Sequence, residues 1–240
     1  MLAWARQREG LESMQSRKQT DGAFADPIDY LNPEVPGRLP RVELPLVRAT
    51  PEALDGYGEL VGERQGFEIE IVPWPLAGWR KLDPGTGVEG GTTSGSFEFA
   101  WQGDLLYGRN EAVGGHYLFG WSVDPAAASA ENPAPDRSRI LLWHANYHPD
   151  GGQLFFPLDG CPFVTIAALP GDDIKPESFT AFYFDGSQGF YIHPGVWHEA
   201  IIPLRDKGRF YDEQGRVHGR VSCNFAKEFG VFLEVPVRVA

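Results

Sequence analysis

His144-Ala-Asn146-Tyr-His148-Pro-Asp-Gly-Gly-Gln153, with Gly160 seven residues further on, decides how this chain reads. Side chains alternate faces along a strand, so His144, Asn146 and His148 are expected to share one face, with Trp143, Ala145 and Tyr147 on the other. Pro149-Asp150-Gly151-Gly152 is strong turn chemistry, which predicts a hairpin in which Gln153 opens a strand returning beside the first. Three polar side chains on one face, facing a fourth, make a small site rather than a packing surface. A second cluster is His193-Pro194-Gly195-Val196-Trp197-His198, and these two segments hold four of the six histidines in the chain.

The remainder of the sequence frames that site. A length of 240 residues suits one large all-β domain, and 42% hydrophobic with 13% aromatic residues is ample for a core. A net charge of −12 argues against nucleic acid, whose phosphates demand clustered Lys and Arg. The two cysteines, Cys161 and Cys223, match no metal spacing and do not build a disulfide framework. With no apolar run of membrane-spanning length and no apolar leader at the start, the expectation is a cytoplasmic protein without a membrane partner.

Residues 1 to about 20 permit a short amphipathic helix through Leu2, Trp4, Leu11 and Met14. Asp21 to Pro40 reads as an extended arm, so we divide the chain into an arm, 1–40, and a single domain, 41–240. Arg41 to Val47 reads as a strand, and Thr50-Pro51 as the capped start of a short helix ending near Gly56. Phe67 to Val72 and Phe97 to Trp101 alternate with period two, and between them Leu82 to Gly95 is a glycine-rich loop. Together these form a strand-and-loop block, 66–96. Tyr117 to Val123, Ile140 to His148, Phe163 to Leu169, Phe179 to Phe184, Phe190 to His193, Val221 to Phe225 and Val231 to Val237 continue the strand series. Many short strands broken by Gly and Pro predict a sandwich or barrel.

Imidazole titrates near neutrality, which makes His148 and His198 the leading proton-transfer pair, with His144 and His193 beside them. The same His148 and His198, with Gln153 as a poor further ligand, are the set that would hold a divalent metal such as Ni or Zn; the replacement of a carboxylate by a neutral amide counts against it, and a metal-free imidazole cluster is the alternative. Trp197 is expected to pack on His198 and orient it. His218, in the charged turn Gly215 to Gly219, is expected to be exposed, and Arg80 beside the glycine-rich loop is a candidate cation for a carboxylate.

Two resemblances sharpen this reading. Asn146-x-His148-x4-Gln153-x6-Gly160 and Gly189-x4-Pro194-Gly195-x2-His198 resemble the two motifs of the cupins, which implies a double-stranded β-helix, or jelly-roll, barrel with a few short peripheral helices. HPDGGQLFFPL and GDDIKPESFTAFYFDGSQGFYIHPGVWHEAI resemble the ureidoglycolate lyase family, formerly called ureidoglycolate hydrolase, at His148, Gln153, Lys175, Pro176, Gln188, Gly189, His193, Val196, Trp197 and His198. The family implies a carbon–nitrogen lyase of allantoin and purine breakdown that splits ureidoglycolate into glyoxylate and urea. On that reading His148, His198 and His193 move protons or bind metal, and Gln153 holds the ureido or carboxylate group. His144, Asn146 and Trp197 line the substrate, with Arg109, Arg80 or Lys175 anchoring its carboxylate. The chain departs from the family in its arm, in the block 66–96, and in having Gly115-His116-Tyr117 where the family places an Arg-Tyr pair. A lyase or isomerase for another hydroxy- or sugar-acid, and a non-catalytic binding protein, therefore stand as alternatives. The proline-rich arm and the general preference for two-fold pairing lead to the expectation of a homodimer.

Overall fold

The structure, a computed structural model, describes residues 25–87, 90–199, 201–216 and 218–237. The helix expected through Leu2 to Met14 lies outside the described residues. Among the described residues there are seventeen strands, beginning with β1 (Arg41–Glu43), β2 (Leu46–Arg48), β3 (Gly58–Val61), β4 (Thr92–Gln102), β5 (Leu105–Asn110), β6 (Gly115–Trp121), β7 (Arg139–Leu142), β8 (His144–Tyr147) and β9 (Gln153–Pro157). They continue as β10 (Phe163–Ala168), β11 (Thr180–Phe184), β12 (Gly189–Ile192), β13 (Trp197–His198), β14 (Ile202–Pro203), β15 (Lys207–Gly215), β16 (Val221–Asn224) and β17 (Phe232–Pro236). The one α-helix among the described residues, α1 (Phe225–Glu228), is a single turn capped by the Asn224 side chain.

The fold is all-β, built from two sheets. The larger runs β1-β17-β7-β6-β5-β4-β15-β9-β12-β3, and the smaller β16-β8-β13-β10-β11-β2, with β14 on β10. Both paths are open, so the closed barrel expected from the sequence is replaced by two separate sheets. Their apolar faces meet in one core. Phe163 on β10 touches Phe210 on β15 edge-to-face with ring centres 5.1 Å apart, and Phe184 on β11 meets Phe190 on β12 at 5.1 Å. Burying such a ring contributes about 1.5–3 kcal/mol, and both sheets supply many.

Several expected elements change at their ends. Arg41 to Val47 is broken at Leu44-Pro45, because proline brings no N–H to a ladder; β1 pairs with β17 and β2 with β11, in different sheets. Thr50 does cap, accepting from the Ala53 N–H, but the chain beyond it forms turns rather than a helix. Phe67 to Val72 is not a strand beyond the single bridge Ile71–Gly151; Phe67, Ile69 and Ile71 instead pack beside Leu154 and Tyr191. The glycine-rich loop ends early, since Thr92 already begins β4.

Two crossings position the site. Ile140 to His148 is not one strand, because the chain leaves the large sheet after Leu142 and enters the small one at His144, with Trp143 between. The expected hairpin at Pro149–Gly152 is likewise corrected. Rather than folding β9 back beside β8, it carries the chain across to the large sheet, where β9 pairs with β12 and β15. His144 to His148 and Gln153 therefore face one another from opposite sheets.

The described part of the arm lies on its own body. Ile28, Tyr30, Val35 and Leu39 pack against Leu118, Trp121, Leu141, Trp143 and Phe232, and the Leu118 N–H donates to the Tyr30 carbonyl at 2.8 Å. No helix among the described residues is long and apolar enough to cross a membrane.

Candidate active site

Between the sheets lies a cavity of about 400 Å³. His144, Asn146 and His148 from β8 and its end line it together, as strand alternation requires, while Ala145 and Tyr147 point into the core. Gln153, His198, Glu199, Asn110, Gln214, His218, Arg216 and Arg220 complete its polar lining.

His144 is buried, and its Nδ1 lies 2.7 Å from Glu199 Oε2. Its Nε2 is buried without a hydrogen-bond partner. A carboxylate behind one ring nitrogen fixes the proton there and leaves the other as a lone pair, the arrangement of a general base. The Glu199 backbone is held in turn by the Thr165 hydroxyl, which donates to its carbonyl at 2.7 Å.

A second network centres on Asp212. Asn110 and Gln214 donate amide N–H groups to its Oδ2, both at 2.8 Å, and Gln153 donates to Oδ1 at 2.7 Å. This turns each glutamine carbonyl outward: Gln153 Oε1 lies 3.1 Å from His198 Nε2, and Gln214 Oε1 lies 3.2 Å from His218 Nδ1. The opposite nitrogens of those rings face the Val196 and Gly151 carbonyls. Both imidazoles are thus framed by acceptors on both sides. Burial works against their charge and pushes each down to about 4, while burial raises Asp212 to about 6. His148 donates from Nδ1 to the Gly219 carbonyl at 3.0 Å and stacks flat on His218 with centres 3.7 Å apart; burial, then the neighbouring imidazoles, holds it well below the ordinary histidine value.

Arg220 supplies the cavity with a well-held cation. Its Nε donates to Asp83 Oδ2 at 2.7 Å, and its guanidinium lies 4.4 Å over the Tyr30 ring. Tyr30 also donates to Asp83 and meets His144 edge-on at 5.1 Å, so the arm helps to build the site. A guanidinium has about five N–H donors in a planar fork, more than Asp83 uses.

Five expected site residues lie away from this cavity. Arg109 alternates with the buried Asn110 on β5 and is exposed; one step of register separates them. Arg80 binds Glu228 through both terminal nitrogens at 3.0 and 2.8 Å and rests over Trp197. Lys175 is exposed before the 3₁₀ turn Pro176–Ser178. His193 stacks edge-on with Tyr191 outside the cavity lining. Trp197 is fully buried, bonded to the Gly171 carbonyl and packed on Tyr147, so it supports β13 without reaching a ligand. His218, expected in solvent, is buried in the site instead.

Of the set His148, His198 and Gln153, the two imidazoles have ring centres 5.1 Å apart. Gln153 Oε1 points at His198 itself, the His148 ring is stacked face-on against His218, and no cluster of three or more His, Cys, Asp or Glu suited to a metal occurs among the described residues.

Fold and site together define an all-β protein with a buried, imidazole-rich cavity that also holds a guanidinium. The profile of the ureidoglycolate lyase family matches residues 128–224, which include every histidine of that cavity. Proteins named ureidoglycolate lyase are similar to this chain: that of Azotobacter vinelandii is 43% identical over 78 residues, covering 32% of this chain and 45% of the relative. Those of Pseudomonas savastanoi pv. phaseolicola and Stutzerimonas stutzeri are each 40% identical over 63 residues, covering 26% of this chain and 37% of the relative. The chain thus spans less than half the length of these curated relatives.

Proposed function

We propose that this protein is a carbon–nitrogen lyase acting on a small α-hydroxy acid that bears a ureido or related nitrogen, as in ureidoglycolate giving glyoxylate and urea. The observation that supports it best is His144, buried with Glu199 on one nitrogen and no partner on the other. Splitting a carbinolamine takes a proton from the hydroxyl, collapses the C–O bond into a carbonyl and returns a proton to the departing nitrogen. His144 Nε2 takes the first proton and Glu199 stabilises the resulting imidazolium. The same imidazolium then serves the leaving nitrogen. The Gln153–His198 pair hydrogen-bonds the ureido group, and Arg220, with Arg216 at the mouth, holds the carboxylate. The names of the relatives favour the same chemistry.

We also assign residues 41–240 to one domain of the cupin type, on the strength of a continuous core from Leu44 to Val237 and the matched motif spacings. The proline-rich arm and the general preference for two-fold pairing support a homodimer. The test is a glyoxylate assay with ureidoglycolate. His144→Asn is expected to lower kcat by about 10²–10⁴-fold, the usual contribution of a general base, and Glu199→Gln by a smaller factor, both with little change in Tm. Full activity in His144→Asn would end the assignment.

A further inference from the structure

The cavity has a second wall that the carbon–nitrogen lyase chemistry leaves unused. Phe97 on β4, Tyr117 and Phe119 on β6, and Phe155 on β9 line it, with Val113 in the turn at the rim. They form one aromatic surface: Tyr117 stacks on Phe119 at 5.4 Å, and Phe97 lies 5.9 Å from Tyr117 and 6.1 Å from Phe155. Gly108 on β5 lets the rings settle on the sheet, since a Cβ there would come within 2.3 Å of Phe119 and 3.0 Å of Phe97. Ureidoglycolate has only roughly nine non-hydrogen atoms and no apolar group, whereas cavities from about 300 Å³ upward hold drug-sized ligands; this one is about 400 Å³. Apart from Phe155, the wall comes from residues before 128, outside the stretch matched by the family.

Building on the lyase reading, we infer that the substrate is an N-acyl or N-carbamoyl α-hydroxyglycine whose nitrogen substituent carries an aromatic ring. The carboxylate sits on Arg220, the carbinol faces His144, and the ring lies against Phe97, Tyr117 and Phe119. The step balances without oxidant or reductant. The hydroxyl proton passes to His144, the C–N bond breaks as the carbonyl forms, and the amide nitrogen takes the proton, giving glyoxylate and a free aryl amide. The wall would add stacking and apolar burial that ureidoglycolate cannot use.

α-Hydroxyhippurate, which carries a benzoyl group, and ureidoglycolate both release glyoxylate and can be assayed side by side on the full chain. The expected kcat/KM is about tenfold higher for α-hydroxyhippurate, and Phe119→Leu, which keeps an apolar side chain in place, should bring the ratio down mainly through KM. Any ratio above one supports the inference. A ratio of one or less overturns it and leaves the lyase reading intact. If neither compound yields glyoxylate, the lyase reading itself falls, and titration calorimetry with the unreactive analogues still decides the wall: hippurate binding tighter than N-carbamoylglycine supports it, and equal or weaker binding overturns it.

Discussion

The histidines of the cavity set its response to pH. An imidazole with an ordinary value of 6.5 takes up a proton in the unfolded chain as pH falls, but folded His198 and His218 resist until about 4, and burial with its neighbouring imidazoles holds His148 well below the ordinary value too. Between pH 4 and 6.5 the unfolded state therefore binds more protons, and stability from these groups rises with pH across that window. Asp212 acts in the opposite sense, because its raised value of about 6 lets the folded state keep a proton that the unfolded chain has lost above 3.8. Three imidazoles outweigh one carboxylate, so Tm should climb from pH 4.5 to 7. His218→Asn should flatten the climb, and a Tm falling over that range would contradict the assignment. An anion delivered to Arg220 favours the charged imidazoles, so hippurate or N-carbamoylglycine should bind with proton uptake, read from calorimetry in buffers of different ionisation enthalpy.

Asp150, in the crossing from β8 to β9, accepts the Gly219 N–H on both carboxylate oxygens at 2.7 and 2.8 Å. That contact fastens the segment bearing His218 and Arg220 to the end of β8. Asp150→Ala should cost about 1–3 kcal/mol, as for a lost charge-assisted bond, seen as a lower urea midpoint, and should raise KM more than it lowers kcat. Unchanged values would show the contact to be incidental. The shared face of His144, Asn146 and His148 was legible because period two is a local rule. The partner of β8 was not, since a turn of Pro, Asp and Gly serves a hairpin and a crossing between sheets equally well. β15 went unread because KGRFYDEQG looks like a charged connector. Its inward series of Phe210, Asp212 and Gln214 was nevertheless present as alternation, and was the one signal that could have located the network centred on Asp212. His218 and Arg220 gave no such sign; their burial is imposed by Asp83, Asp150 and Gln214, distant in sequence.

Across the whole molecule, the arm joins fold to chemistry. Tyr30 ties Asp83, Ser222 and Arg220 together at the cavity while its neighbours cover Trp121 and Phe232. Deleting residues 1–38 should lower Tm and weaken carboxylate binding together, with light scattering checking that oligomeric state does not explain the change; a truncated protein of full stability and affinity would argue against the role. Trp143, at the crossing between sheets, has its own consequence. Its indole lines the cavity with its centre 5.1 Å from the His144 ring and its N–H on the Leu118 carbonyl. Of the seven tryptophans in the chain, it is placed to report on the cavity by fluorescence, because indole emission responds to whatever polar or charged group comes to lie beside the ring. Titrating hippurate should change the protein's emission as the ligand fills the space beside the indole, and in Trp143→Phe the ligand-dependent signal should vanish, leaving an optical readout of occupancy next to the proposed base.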